Sequence, residues 1–555
     1  MSRETPESRY EAVYQGFEWA EAWDQFAGER DGRFNVGYEV LGRHVDAGET
    51  GALAVRIVDV DSGGVEELRY GDLDRRVGQF VTYLREQGLS AGDRVAGMLQ
   101  PRPELYATAV GCWSGGFQYV PLFSLFGPDA VNYRLDDADV RAVVTSSAHA
   151  EKIDPAAVES LDHVLLVDGG PEAVDGADDL ARPFDVIDEC GTDYEVADTR
   201  PDDVCTIQYT SGTTGPPKGV KARHAGLVTL YPAFRWAADQ RPDHNYFSTA
   251  PPAWSYGLFG STAYPLHVGM GTTAYRGQIT PEAVVDVLQT YDVTNFFAPP
   301  TLLRQLIGSA VDFADVDHDV EVVVTAGEPL DPQTVTWVQD ALGTKIVDHY
   351  GFTEMGMIVN NYVFDDWTVK PGSMGKPCPG FEVRIFDLEE DRELPRGEVG
   401  EIAVRTDAFP GIRGYLGRPE KTEEKWGGEW VRSGDLGRVD EDGYVWFEGR
   451  ADDVVLSAGY RIGPTEVENA VMNHEAVAEV AVVGLPDDER GEVVTAFVRP
   501  VEGVAPSDDL ADEISDRVRA DLSKHEYPRQ IHFVEEFPRT ASGKVQRFEL
   551  RDEYA

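Results

Sequence analysis

Tyr209–Val220 reads YTSGTTGPPKGV, and seven of its twelve residues are Gly, Ser or Thr. An apolar, strand-like run, Val204-Cys-Thr-Ile-Gln208, leads into it. Glycines let a backbone approach a ligand closely, and hydroxyls with free N–H groups make an anion-binding concavity. Lys218 adds a mobile point charge of the kind that binds phosphate. This is not a Walker A loop, because Lys218 follows Pro217 rather than the glycine that loop requires.

Strand-like and helix-like segments alternate on both sides of the loop, the pattern of a parallel α/β layer. Leu53 to Val60 reads as a strand, Tyr70 to Gln87 as a helix stopped by Gly88, and Arg94 to Leu99 as a strand. Pro103 opens a helix towards Gly115-Gly116, and Gln118 to Leu122 is extended again. Val164 to Asp203, acidic and rich in Gly and Pro, reads as a surface connection. Downstream come a helix over 281–291 and strands at 294–298, 322–325 and 346–350. Ligands of such sheets bind beyond the carboxyl ends of strands. From Gly380 to Phe447 short extended runs with Gly-rich turns predict a small β-rich subdomain, and the last hundred residues an α+β unit.

The 555 residues are too many for one core. Ninety-nine Asp plus Glu against 49 Lys plus Arg give a net charge of -50, which repels nucleic acid and anionic membranes, so neither is an expected partner. Lysine is absent before Lys152. High acidity with scarce lysine resembles the proteins of extreme halophiles. Cys112, Cys190, Cys205 and Cys378 lie far apart without metal spacing, which predicts free thiols in a reducing cytosol. The polar start MSRETPESRYEAVYQ lacks a signal-peptide core, and no apolar run nears the ~20 residues of a membrane span. A cytoplasmic protein, monomer or homodimer, is expected.

Four further segments follow the loop: Asp348-His-Tyr-Gly-Phe-Thr-Glu354, Ser433-Gly-Asp435, Gly449-Arg-Ala-Asp452 running on to Glu466, and Pro538-Arg-Thr-Ala-Ser-Gly-Lys544-Val-Gln-Arg547. With the loop, they resemble the motifs of the adenylate-forming (AMP-binding) superfamily, in family order and over nearly the full length. The resemblance implies a large N-terminal domain (1–451) of two α/β subdomains plus the β-rich one. A smaller mobile α+β domain (452–555) would follow it. It implies that Thr210, Ser211, Gly212, Thr213, Thr214, Gly215 and Lys218 bind ATP phosphates. Gly327, Glu328 and Pro329 would cover one adenine face, and Asp348, His349, Tyr350, Gly351 and Phe352 would border the other. Thr353 would meet the α-phosphate, Glu354 would bind Mg²⁺, and Asp435 would accept both ribose hydroxyls, as an acceptor-only carboxylate can. Arg450 and Arg461 would contact ribose or phosphate, Asp452 would be the hinge, and Lys544 the catalytic lysine.

The texture is most similar to the medium-chain acyl-CoA synthetase branch, which implies CoA as co-substrate. Ala458, Gly459, Tyr460, Arg490, Tyr527 and Arg529 fall at that branch's CoA positions. Two departures bear on the acid. Acetate-specific relatives carry Trp where this chain has Gly351, which predicts room for a longer acyl chain. The acyl-gate segment reads Ala250-Pro-Pro-Ala-Trp254-Ser-Tyr, with Ala where relatives often have Gly. Trp254 and Gly351 are thus the expected acyl-pocket residues, Tyr256 and Phe259 candidates beside them, and Phe296 plain core. The expected reaction joins a short- or medium-chain carboxylic acid to CoA through acyl-AMP, with ATP and Mg²⁺. An aryl-CoA ligase, a carrier-loading adenylation enzyme and a non-catalytic acyl-nucleotide sensor are the alternatives.

Self-repulsion of so many carboxylates destabilises the fold where screening is weak. The chain should therefore unfold and lose activity below roughly molar salt. A melting curve that does not move with KCl would overturn this.

Overall fold

Leu73, Val77, Phe80, Val81 and Leu84 recur at helical spacing, and they line the buried face of the Tyr70–Glu86 helix. Gly88 ends it in the left-handed conformation (φ +84°) that a side chain would resist. Pro103 sits in the first turn of the Pro103–Gly115 helix, which is buried nearly all round and stops at left-handed Gly116. Thr280 caps the Pro281–Thr290 helix, its hydroxyl accepting from Ala283 N at 3.2 Å. The computed structural model describes residues 8–174, 180–210, 216–406, 411–457, 460–487, 490–522, 527–540 and 543–555.

Two large sheets carry these elements. The eight-stranded sheet is parallel from Val204–Thr210 through Gln118–Pro121, Arg94–Met98, Val140–Thr145 and His163–Leu166 to Ala181–Pro183. On its other edge, Lys218–Arg223 and Ile412–Tyr415 pair antiparallel. The segment 164–203 is therefore more than a connection. Val164, Leu165 and Leu166 are fully buried in a strand and Ala181–Pro183 forms the sheet edge; a run this short carries too little periodicity to declare itself.

The thirteen-stranded sheet has a parallel centre formed by Gly271–Arg276, Asn245–Ser248, Asn295–Phe297, Val322–Ala326 and Lys345–Phe352. Phe296 is fully buried there. The β-rich stretch is present as antiparallel strands Val383–Phe386, Gly400–Arg405, Trp430–Val439 and Val445–Arg450. They extend the same sheet through Ser373–Pro377 rather than standing apart from it.

The C-terminal part has its own five-stranded sheet, with Gly491–Pro500 between Val477–Asp487 on one side and Val455–Ser457 and Gln530–Phe533 on the other. The Pro464–Met472, Asp508–Asp521 and Arg547–Tyr554 helices accompany it. Glu468, 8% exposed, accepts from Val482 N at 2.8 Å and so closes one N–H of the edge strand. Among the described residues no helix is long and apolar enough to cross a membrane.

Val36 N donates to buried His224 Nδ1 at 3.0 Å, which ties the N-terminal segment to the first sheet. Burial pulls the imidazoles of His224, His267 and His349 from 6.5 down to about 3. The unfolded chain takes up these protons near pH 6.5 and the folded chain does not until about pH 3, so each histidine withdraws stability as pH falls through that window. His224→Gln keeps an acceptor for Val36 N and should flatten the fall of melting temperature between about pH 7 and pH 5. An unchanged slope would contradict this assignment.

Candidate active site

The strands on either side of the stretch expected to hold phosphate, Val204–Thr210 and Lys218–Arg223, pair antiparallel, with Thr210 opposite Lys218. Ser211, Gly212, Thr213, Thr214 and Gly215 lie outside the described residues. The flanks are fastened: Tyr209 Oη donates to Asp137 at 2.7 Å, and Tyr133 Oη donates to Pro217 O at 3.0 Å. The Lys218 ammonium sits 5.3 Å above the Tyr415 ring, and Tyr415 Oη donates to Glu354 Oε1 at 2.9 Å. Tyr415 thus joins the loop lysine to the expected metal carboxylate. Sequence reasoning missed it, since only the pairing of Tyr415 with Val220 brings it here.

Thr353 and Glu354 occupy the turn between Lys345–Phe352 and Gly356–Asn360, both half-buried. A second missed residue, Lys425, donates to Arg432 O and lies 5.3 Å above the Phe352 ring. Burial lowers its pKa, against which Glu354, Glu401 and Asp435 raise it.

Upstream on the same strand the side chains diverge. Tyr350 Oη donates to Asp435 Oδ2 at 2.7 Å, and Arg450 Nη1 donates to Asp435 Oδ1 at 2.8 Å. Asp348 and His349 are 4% and 1% exposed and do not wall the cleft with their side chains. Burial pushes the Asp348 carboxyl up to about 8, and the His349 ring faces Tyr256 and Phe234. Gly351 is a correction. A Cβ there would lie 1.9 Å from the Gly356 carbonyl oxygen, so the space it faces is filled by main chain and cannot set the depth of an acyl pocket.

Gly327, at φ +92°, abuts Trp254: a Cβ would lie 2.7 Å from the indole and 3.9 Å from Lys544 Cε. Glu328 accepts from Thr301 Oγ1 (2.7 Å) and Arg304 Nη2 (2.9 Å), and Pro329 follows it at the strand's carboxyl end. Lys544 is reached by solvent within the cleft but walled by protein. That desolvation lowers its pKa, while the carboxylates of Glu328 and Asp435 raise it and Arg450 lowers it. Trp254 packs against Tyr256 with ring centroids 5.8 Å apart and the ring planes tilted by 33°. Tyr256 also lines an apolar cavity of about 30 Å³, whose other lining residues include Phe234, Phe259, Gly356 and Met357.

Of the remaining candidates, Arg450 Nε donates to Asp452 Oδ1 at 3.2 Å. Ala458 and Gly459 lie outside the described residues; Tyr460 and Arg461 belong to the Tyr460–Ile462 strand. Arg490 N donates to Asp487 Oδ1 at 2.8 Å, and the guanidiniums of Arg519 and Arg529 lie 5.3 and 4.5 Å over the Tyr527 ring. Arg490 is not placed beside that pair by any contact described.

Glu354 fits Mg²⁺: it is a hard, half-buried oxygen donor with Oε1 fixed by Tyr415, and Mg²⁺ commonly takes one or two carboxylates plus substrate phosphates. Asp239, His244 and Glu321 bring three ligand atoms within 4.8 Å of one another at the far, N-terminal ends of the strands. The Arg241 guanidinium already bonds to His244 and pairs with Asp239 at 3.3 Å, so we assign no ion there.

The AMP-binding enzyme family profile matches residues 46–416, and that of the AMP-binding enzyme C-terminal domain matches 466–544. The chain is 33% identical over 551 residues to acetyl-coenzyme A synthetase of Bacillus subtilis (strain 168), covering 98% of this chain and 94% of that one. It is 34% identical over 507 residues to acyl-coenzyme A synthetase ACSM3, mitochondrial, of Mus musculus, covering 89% and 85%. The fold matches the crystal structure of Brucella canis acyl-CoA synthetase with a TM-score of 0.76 at 37% identity, over 99% of each chain.

Gly351→Ala should cost about 1–3 kcal/mol in chemical denaturation, because the clash is with main chain that cannot rotate away. Gly351→Trp should cost more. Wild-type stability in the alanine variant would show that the two strands separate there without penalty.

Proposed function

The chain belongs to the AMP-binding, adenylate-forming enzymes and is an AMP-forming acid–CoA ligase, and from that premise we propose that its acid is a short- or medium-chain monocarboxylic acid. The observation that supports this most is the meeting of Lys544, Gly327 and Trp254, where Trp254 packs against Tyr256 and Tyr256 in turn lines an apolar cavity. Among the described residues the cavity lining holds no Arg, Lys or His to balance a second carboxylate, and Phe234, Phe259 and Met357 suit an aliphatic tail. Met357, beside Gly356, takes over the role of depth that sequence reasoning gave to Gly351.

In the first half-reaction an oxygen of the acid carboxylate attacks the α-phosphorus of ATP and the bond to pyrophosphate breaks. Lys544 would stabilise charge on the carboxylate and α-phosphate, with Thr353 beside it and Lys218 and the phosphate loop on the leaving pyrophosphate. Glu354 would hold Mg²⁺, which offsets the repulsion between carboxylate and triphosphate when bound. Tyr350 and Gly327 to Pro329 would border the adenine, and Asp435 would accept the ribose hydroxyls. The domain from 452 onward would then turn about Asp452, withdrawing Lys544 and bringing Tyr527 and Arg529 round for CoA. The thiol sulfur attacks the acyl carbon, its proton goes to solvent, and AMP leaves. Positioning and charge carry this catalysis; no side chain is acylated. On the strength of the -50 charge we assign the reaction to a high-salt cell.

A screen of acids for CoA-dependent AMP release in molar KCl should rank straight-chain short and medium acids above aryl and dicarboxylic ones. Benzoate or malonate at the top would overturn the proposal. Lys544→Ala should lower pyrophosphate exchange by about 100-fold or more yet spare thioester formation from supplied acyl-AMP. Equal loss in both halves would refute the role given to Lys544.

A further inference from the structure

The chain around Asp452 is gripped from both sides. On the near side, Ala451 N donates to Gly434 O at 2.9 Å, and Arg450 is paired with Asp435 at 2.8 Å. On the far side, Arg551 of the Arg547–Tyr554 helix donates through Nη1 to Asp452 O at 3.2 Å, and through Nη2 to the Asp453 carboxylate. One helical turn earlier, Arg547 Nη2 donates to both oxygens of Glu468 at 2.7 and 2.9 Å and fastens that helix to Pro464–Met472. Lys544 lies three residues before Arg547, on a turn closed by Thr540 N to Lys544 O at 2.8 Å. The nitrogen of Asp452 therefore travels with the N-terminal part and its carbonyl with the terminal helix. Between them lie two rotatable bonds, N–Cα and Cα–C of Asp452. Among the described residues, hydrogen bonds that cross this joint include Arg450 Nε to Asp452 Oδ1 at 3.2 Å and Asp453 N to Arg450 O at 3.1 Å.

We propose that Arg551 and Asp453 are positioning residues: they confine the domain turn to the two backbone bonds of Asp452, so that Lys544 enters and leaves the cleft as part of one rigid body. This rests on the reaction proposed above. Arg551 holds the joint, Arg547 holds the helix, and the helix carries the lysine turn at a fixed distance from the pivot. Without the Arg551 clamp, rotation would spread over Asp453 and its neighbours, and Lys544 would arrive with less defined geometry.

The test uses the full chain with Arg551→Gln, Asp453→Asn and the conservative Arg551→Lys. Deuterium uptake of the ligand-free protein and the two half-reactions are measured for each. In the Gln and Asn variants uptake should rise across 446–457 and 547–554 and stay unchanged in the Val477–Asp487 and Gly491–Pro500 strands. Pyrophosphate exchange should fall at least about tenfold, the cost of a misplaced catalytic group, with KM for the acid unchanged. Arg551→Lys keeps the charge pair and should recover much of the exchange. Wild-type exchange and uptake in both Gln and Asn variants would overturn the proposal, as would uptake that rises throughout the C-terminal sheet, the mark of general loosening. A wild-type chain inactive with every acid would instead defeat the proposed reaction, and the deuterium comparison would still decide the clamp.

Discussion

A chain carrying fifty excess negative charges has to admit two more anions, a carboxylate and a triphosphate, into one cleft. Coulomb repulsion between these partners is the barrier that the rest of the architecture answers. Cations are accordingly gathered where the sheets' strand ends meet. Lys218 comes from the eight-stranded sheet, Arg450 from the antiparallel extension of the other, Lys425 from the Pro419–Trp426 helix between the two, and Lys544 from the C-terminal sheet's domain. Three separate parts of the fold must therefore dock before the charge is balanced, and the fold is at once a scaffold and a counter-ion.

The docking is done by carboxylates that each serve more than one partner. Asp435 joins Tyr350 to Arg450, Arg450 continues to Asp452, and Glu354 joins the hairpin turn to Tyr415. Such charge-assisted bonds fix geometry more than they add stability, because desolvating the ions costs nearly as much as pairing returns. That suits the domain turn proposed above, in which the cleft would open again in every turnover.

Much of this was readable from the residues in order. The long runs around Lys544, Asp435 and Tyr350 name a chemistry, and the structure brings the three together. The alternation of strands and helices likewise predicted the parallel sheets. Other parts were not readable, for definite reasons. Tyr415 reaches Glu354 only because Ile412–Tyr415 leaves the antiparallel region to pair with the other sheet, a long-range register that no local pattern encodes. Asp348, His349 and Tyr350 read as one motif, but their side chains meet different surroundings, and a strand turns successive side chains to opposite faces. Gly351 lacks a side chain because a neighbouring strand needs the room, whereas sequence comparison suggested that a substrate did.

The two donors already on Asp435 have a consequence for which nucleotides the cleft takes. Each carboxylate oxygen can accept twice, and among the described residues each has one protein donor, which leaves one acceptor position per oxygen there. A ribose diol brings two hydroxyls and fills both. A 2′-deoxy sugar brings one, and a buried acceptor left empty costs about 1–3 kcal/mol. With Asp435 in the ribose role proposed above, the site would tell ribonucleotides from deoxyribonucleotides by the number of protons offered.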